Sequence, residues 1–521
     1  MKRRVNPLMI VMLLLACLQA WAAHAQQADP GIAAAQSLLE QAAEPQPDGS
    51  HNAMLLGLRQ LEDPALKPLF TGLGSSPYLS MRIHGRLGAA ALSPKRRIDL
   101  ALLAEVGDQR ELVQVVSAAI DDGLIDNNGL TTLLTWDGLD LPIRQGIALR
   151  VMAAGGEIDT KPFLESLDVE LNDDLPAAKL LQYALAGMLL AESGDPAGRK
   201  ALMELAKLEG DHAIAVTAQI LDAAMRQGFN SVGQLALLTA TDTSRAPSLR
   251  LLAIQSAMRV GTPGAQRTWK SMFKNETASA QRIRLAMIAL DSAEEVEPAL
   301  FDTLSNQGEW IDAVARAGRA IATNKQDLAE AMQPMIALGQ PLSVQWVTTY
   351  CRRAEPTQGP ALLELIIRLY RNAPKHHRGK MSQAAIDATA ALCELYPEQA
   401  NKRLPQLLDV NPARPAGIVD DAAYLERRQI VLLGIARAQS NGLAPLAQSI
   451  KADTLNDFTT EALRLFIRAK HDAPLTDKDW EQVSEIVQGV GQMDSAMRLQ
   501  LAWAYLKHKG LAEQSIAKVF R

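Results

Sequence analysis

Residues 224–228 read Ala-Met-Arg-Gln-Gly, and residues 257–261 read Ala-Met-Arg-Val-Gly, 33 positions further along the chain. Each copy closes an alanine-rich apolar stretch and is followed by a turn. A repeat of roughly this length is typical of stacked helix pairs, each of which buries its apolar face only against its neighbours. The repeat therefore predicts an all-α chain, an α-solenoid of stacked antiparallel helix pairs.

The predicted helix ends set the period. Glycine just past a helix stops it, because glycine adopts a positive φ without strain. Four such glycines, at positions 155, 194, 228 and 261, are 39, 34 and 33 residues apart. We therefore predict an irregular period of about 31–39 residues. The helices of this region, in which apolar residues recur at intervals of three and four, are predicted at residues 141–154, 176–193, 212–227, 247–260 and 279–290.

The composition agrees with this fold and excludes one class of partner. Aromatic residues make up only 4% of the chain, whereas alanine and leucine, which favour helices, are abundant. The formal net charge is −5, and it falls to −8 without residues 1–25, which carry three basic and no acidic side chains. A general nucleic-acid binder needs a basic surface, so we predict no nucleic-acid partner.

The first 25 residues have the pattern of a signal peptide. Basic residues at positions 2–4 precede an apolar run at 8–18, and small residues at 23–25 precede Gln26. The run is shorter than the about 20 residues that span a membrane, and no later apolar stretch is long enough to do so. We expect an exported chain, periplasmic or secreted, without a transmembrane segment.

The three cysteines carry separate predictions. Residues 14–17, Leu-Leu-Ala-Cys, resemble the lipobox of bacterial lipoproteins. That resemblance implies the alternative of lipid attachment at Cys17, which would tether the chain to a bacterial membrane. Cys351 and Cys393 lie in predicted helices, so they are either buried small hydrophobic residues or, in an oxidising compartment, partners in a disulfide between repeats.

A recurring pair of residues relates the chain to a known class of repeats. An apolar residue followed by arginine, near the start of a helix and ahead of alanines, occurs at residues 81–82, 143–144, 249–250 and 283–284. This pattern resembles the HEAT-repeat class of α-solenoids over about residues 51–340, although the aspartate usual before the pair is not regularly present. Residues 501–517 are similar to a tetratricopeptide helix pair. The resemblance implies a curved array that offers a binding surface.

Breaks in the pattern suggest a division of the chain into four parts. Proline and glycine interrupt it at residues 44–49, 372–379 and 411–417. The predicted parts are a signal peptide at 1–25, a linker with one short helix at 26–50, a HEAT-like solenoid at 51–371, and continuing helical repeats or a C-terminal helical subdomain at 372–521.

Motifs of catalysis are absent from the sequence. It contains no Gly-x-Ser-x-Gly elbow, no His-Glu-x-x-His pair and no phosphate loop ending in Gly-Lys-Ser/Thr. Enzymes that process sugars on helical frameworks use clustered aromatic residues and paired carboxylates, neither of which the spacing suggests. We expect the scattered tryptophans to pack between repeats. The sequence predicts no catalytic, cofactor-binding or metal-ligating residues.

One charged stretch is a candidate contact. The most basic stretch of the mature chain holds Arg371, Lys375, His376, His377, Arg378 and Lys380. Its two histidines are adjacent and would point about 100° apart on a helix, so they cannot chelate a metal together. The stretch is either a solvated loop or a contact for an acidic partner or an anionic envelope surface. In the second case, charge reversal at positions 375, 378 and 380 should weaken capture of that partner.

The expected function follows from the architecture. A helical repeat array without a reaction centre is typical of an interaction scaffold. We expect an exported, non-enzymatic scaffold of the bacterial cell envelope, which binds a protein or peptide on the solenoid surface. The alternatives are an enzyme on an α/α framework that acts on glycans and a structural component of a larger envelope assembly.

Overall fold

The computed structural model confirms the all-α prediction. It describes residues 29–136, 138–323, 327–338, 341–352, 358–369, 378–408, 421–452, 457–491 and 493–520. Helices, turns and bends account for all the regular structure in these ranges, and they contain no β-strand.

Two compact units divide the described residues. Unit 1 holds residues 29–96, 405–432 and 441–520, and unit 2 holds residues 97–404 and 433–440. Helices from both ends of the chain share unit 1, so this division runs across the parts predicted from sequence breaks at residues 50 and 371.

The helices up to residue 153 are mostly of two to four turns. Aspartate begins several of them, because its carboxylate accepts from exposed N–H groups of the first turn, as Asp108 and Asp126 do. They are α1 Pro30–Ala42, α2 Ser50–Gln60, α3 Lys67–Leu73, α4 Leu79–Ala91, α5 Leu100–Ala104, α6 Gln109–Asp121, α7 Asn127–Leu134 and α8 Leu141–Ala153.

The next helices, through residue 291, include the predicted repeat. The five predicted helices are present, with ends that differ from the predictions by a residue at most. These helices are α9 Lys161–Leu164, α10 Ala177–Glu192, α11 Pro196–Leu205, α12 Asp211–Gln227, α13 Gly233–Thr241, α14 Pro247–Arg259, α15 Ala265–Asn275 and α16 Ser279–Asp291.

The remaining helices complete both units. They are α17 Glu309–Ala322, α18 Leu328–Ala337, α19 Pro341–Cys351, α20 Gly359–Leu369, α21 Arg378–Leu395, α22 Pro397–Leu408, α23 Asp421–Arg437, α24 Ala444–Ser449, α25 Phe458–Lys470, α26 Asp477–Val487, α27 Ser495–His508 and α28 Ala512–Val519. Short 3-10 helices lie at Pro64–Leu66, Glu165–Leu167, Asn230–Val232, Ala293–Glu295, Pro298–Leu304 and Asn441–Leu443.

Two rows of helices build the central part of unit 2. In one row α8, α10, α12, α14 and α16 each pack against the next, and in the other α11, α13 and α15 do the same. The rows are joined because α10 packs on α11, α14 packs on α13 and α15, and α15 packs on α16. Trp269 of α15 is fully buried, and its indole N–H donates to the carbonyl of Leu285 in α16 at 2.8 Å, so this tryptophan packs between two neighbouring helices.

The predicted glycine stops are present in unit 2. Gly155, Gly194, Gly228 and Gly261 have φ values of 79°, 90°, 76° and 68°, in the left-handed region that glycine adopts without strain. Each follows the helix that it was predicted to end. These helix ends could be predicted because each depends on one local residue.

Unit 1 is built from segments far apart in the sequence. Helices α1 and α2, near the start of the described chain, both pack against α27 near its end, and α1 also packs on α26 and α28. Leucines 38, 39, 55 and 58 of α1 and α2 are buried, as are Leu501 and Trp503 of α27. The helix predicted within the linker is therefore part of a hydrophobic core.

Candidate functional site

A groove crosses four helices of unit 2 and has a volume of about 820 Å³. Helices α12, α14 and α16 pack consecutively, and α16 packs on α19. The groove is lined by Met225, Arg226, Ser248, Leu251, Leu252, Gln255, Arg259, Arg284, Met287, Ile288, Asp291, Trp346 and Thr349. We call these residues the repeat groove. Its volume lies in the range of small-molecule and peptide pockets.

Helical spacing brings one side of α14 to the repeat groove. Ser248, Leu252, Gln255 and Arg259 recur at intervals of three and four residues, so they share a face of this helix. Ser256, next to Gln255 in the sequence, is buried beside this face, and its hydroxyl donates to the Leu221 carbonyl of α12 at 3.1 Å. That buried bond ties α14 to α12.

Apolar side chains from each helix form the floor of the repeat groove. Met225, Leu252 and Met287 are half-buried, one on each of α12, α14 and α16. Trp346 of α19 closes the row, is 9% exposed, and stacks on Tyr350 with ring centroids 5.2 Å apart. Methionine is flexible and polarizable, so a floor with two methionines adapts to apolar groups of different shapes.

Arginines outnumber carboxylates along the repeat groove. Arg226, Arg259 and Arg284 line it, against the single carboxylate of Asp291. Arg226 pairs with Asp222 on its own helix at 2.5 Å, and Arg259 donates to the backbone carbonyl of Asp291 at 2.9 Å. Arg284 is exposed. The groove is thus an apolar floor with a basic edge.

A second groove, of about 570 Å³, lies in unit 1. Trp480 of α26 stacks on His508 of α27 at its rim, with ring centroids 4.1 Å apart. Asp63 lies at the base, where it accepts from the Trp503 indole N–H at 2.9 Å and the Lys507 ammonium at 2.8 Å. We call this the terminal groove, because residues 61–64, towards the start of the described chain, and residues from 466 to 508, towards its end, line it.

The charges of the terminal groove are engaged within the fold. Burial pushes the pKa of Asp63 upward, but hydrogen bonds from Lys507 and Trp503 hold the pKa below its ordinary value of 3.8. The same carboxylate also accepts from the Ala65 N–H at 3.0 Å and so begins a short helix. Glu62 pairs with Arg96 at 2.6 Å. Asp63 therefore joins the two ends of the chain and is the wrong kind of carboxyl for a general acid, which needs a raised pKa.

The structure leaves several sequence predictions without a test. Residues 371–377 of the basic stretch lie outside the described ranges, as do the side chains of Arg378 and Lys380 at the start of α21 and the predicted lipid site Cys17.

Cys351 and Cys393 are buried and not joined by a disulfide, and burial raises the pKa of the Cys351 thiol to about 12.

Among the described residues, no group of three or more His, Cys, Asp or Glu side chains is placed to hold a metal ion. None of the helices in the described ranges combines the length and apolar character that crossing a bilayer requires.

The repeated phrase of the sequence contains residues of the repeat groove, but its spacing does not show which side chains stay uncovered. Met225 and Arg226 belong to the first copy of the repeated phrase, and Arg259 to the second. Which face of a helix stays uncovered depends on how its neighbours pack, and the sequence pattern specifies only that an apolar face exists. The contribution of Trp346 from α19 had no local signal.

No family model matches this chain, and neither a curated protein nor a solved structure is similar to it.

Proposed function

We propose that this protein is an exported, non-enzymatic interaction scaffold of the bacterial cell envelope, and that it binds a protein or peptide partner in the repeat groove. In this proposal the stacked helix pairs are a HEAT-like α-solenoid, whose successive helices present a continuous surface. The consecutive packing of α8, α10, α12, α14 and α16 supports that interpretation.

The observation that carries the proposal is the uncovered apolar floor of the repeat groove. Met225, Leu252 and Met287 stay half-buried although adjacent positions of the same helices are buried. Exposure of apolar side chains to water is unfavourable, so a partner that covers a row of them across consecutive helices lowers the free energy. An apolar centre with a polar edge is the usual anatomy of a binding surface.

The cellular location rests on residues 1–25. Basic residues, an apolar run and small residues in that order support export through a signal peptide. Cleavage after Ala25 would release the chain into the periplasm or the medium, whereas lipid attachment at Cys17 would tether it to a membrane. Mass spectrometry of the mature N-terminus distinguishes the two outcomes.

The glycan-acting alternative fits the terminal groove less well than a binding role does. Such an enzyme needs one carboxyl with a raised pKa to protonate the leaving oxygen. Asp63, the least exposed carboxylate that lines the terminal groove, has a lowered pKa and is held by Lys507 and Trp503. The third candidate, a building block of a larger assembly, predicts self-association of the purified chain in light scattering, and a free adaptor predicts a monomer.

Site-specific photo-crosslinking tests the proposed function. A photoreactive amino acid at Met287, in the repeat groove, should yield a discrete crosslinked partner in cells that export the full chain. Leu238 of α13 is the matched control, because it is a comparable apolar residue, 42% exposed, that does not line the groove. The same adducts from both positions, or none from Met287, would contradict the proposal.

A further inference from the structure

We propose that the repeat groove selects an extended acidic peptide with large apolar side chains. This inference rests on the proposed function and names the chemistry of its partner. It follows from three properties of the groove: the charge of its edge, the nature of its floor and its length.

The edge of the groove favours acidic ligands. Its lining carries three arginines and one carboxylate, whereas the whole chain has a formal net charge of −5. Asp222 lies beside the groove and pairs with Arg226, so the three arginines exceed the two nearby carboxylates, Asp222 and Asp291, by one positive charge on an acidic protein. A negatively charged partner is attracted to the arginines of the groove, whereas the net negative charge of the protein as a whole repels it.

Arg284 is the arginine best placed to contact a ligand. It is exposed on α16, and the described residues give it no ion pair. Arg226 shares its charge with Asp222, and Arg259 uses one of its donors on a backbone carbonyl. Guanidinium groups bind carboxylates through paired hydrogen bonds, so this edge suits glutamate or aspartate side chains.

The floor favours apolar side chains between the acidic ones. Met225, Leu252 and Met287 come from consecutive helices, so each is followed along the groove by another apolar contact. Tyr350 supports Trp346 from one side, which fixes the indole as a rigid wall at one end. An aromatic or branched aliphatic side chain of the ligand would bury its surface against this wall.

The length of the groove sets the length of the peptide. Packed helices lie about 9 Å apart, so three intervals from α12 to α19 span about 27 Å. An extended chain rises about 3.3 Å per residue and covers that distance with about eight residues. An extended ligand also leaves its backbone groups in need of partners. The Gln255 amide lines the groove, where its N–H donates to the Asp291 carboxylate at 3.5 Å.

Fluorescence anisotropy with the full mature chain tests the proposal. One labelled peptide of about eight residues alternates glutamate with leucine, and a second carries lysine in place of glutamate. We expect the acidic peptide to bind at least about tenfold more tightly, with an affinity that falls as salt is added. Equal affinity, or tighter binding of the basic peptide, would overturn the proposal.

Four variants locate the binding. Arg284→Glu should weaken the acidic peptide about tenfold and improve the basic one. Arg110→Glu, an exposed reversal on α6 outside the groove, should leave both affinities unchanged. Met287→Asp should abolish binding, and Met287→Leu should preserve it. A circular-dichroism melt of each variant verifies that the fold is intact.

The outcomes separate this inference from the proposed function. If the unmodified chain binds the acidic and basic peptides equally and Met287→Asp binds neither, the repeat groove remains the binding site and the acidic preference is overturned. Unchanged binding in Met287→Asp places the ligand elsewhere and overturns both proposals. If light scattering instead shows that the unmodified chain is a dimer and that Met287→Asp is a monomer, a second copy of the chain is the occupant of the groove, and the proposal of an acidic peptide is overturned.

Discussion

Replacing Gly198 by alanine tests how closely the two rows of unit 2 approach. A Cβ at Gly198 in α11 would lie 2.2 Å from the backbone N of Ala191 and 2.5 Å from the carbonyl oxygen of Gly187, both in α10. Backbone atoms cannot rotate away as a side chain can, so the two helices must separate by about 1 Å to restore an ordinary contact. Overpacking of this kind costs about 1–3 kcal/mol, against a helix-propensity gain of about 0.5–1 kcal/mol for alanine.

Gly146→Ala is the matched control for this substitution. Gly146 lies inside α8, and a Cβ there meets no atom within 4 Å, so alanine should stabilise that helix by about 0.5–1 kcal/mol. The chain has two units and need not unfold in one step, so local opening is the better measure. Hydrogen exchange of peptides from α10 and α11 should become about 5- to 30-fold faster in Gly198→Ala. Unchanged or slower exchange would refute the close approach of α10 and α11.

Unit 1 offers two further predictions. Asp63→Asn removes the charge that Trp503 and Lys507 contact, so the free energy of local opening of α27, measured by hydrogen exchange at pH 7, should fall by about 1.5–3 kcal/mol. Because the pKa of Asp63 is lowered in the folded state, its contribution to stability is present above pH 3.8 and is lost as the pH falls through the folded-state pKa. Equal stability of the variant and the wild type at pH 7 would contradict the contact. Burial lowers the pKa of His84 and His471 to about 4, so the folded state resists protonation and stability should fall as the pH drops from 6.5 towards 4. The loss is at most about 1.4 kcal/mol per pH unit for each ring, and a urea midpoint that is the same at pH 7 and pH 5 would contradict it.

The part of the fold that the sequence could predict is the part that local residues determine. Gly155, Gly194, Gly228 and Gly261 each end a helix through their own backbone freedom, and the apolar spacing between them needs no distant partner. The all-α class and the five helices around the repeat followed from these features.

The remainder depends on residues that are far apart in the chain. The Tyr505 hydroxyl donates to the Asp29 carboxylate at 2.7 Å, across 476 positions. Nothing in either local sequence specifies that pairing, because aspartate before a helix is expected as a cap whether or not a distant tyrosine also binds it. The floor of the repeat groove is comparable: Met225 and Met287 have the spacing of core residues, and only the packing of α12, α14 and α16 leaves them half-buried.

Methyl-methionine NMR during titration with the acidic peptide tests the central claim most directly. The two methionines of the repeat groove, Met225 and Met287, should shift together as the peptide is added. Met188 of α10, fully buried in the core of unit 2, and Met54 of α2 in unit 1 should not shift. Shifts at Met54 without shifts at Met225 and Met287, or no shift at saturating peptide, would contradict the claim that the repeat groove is the binding surface.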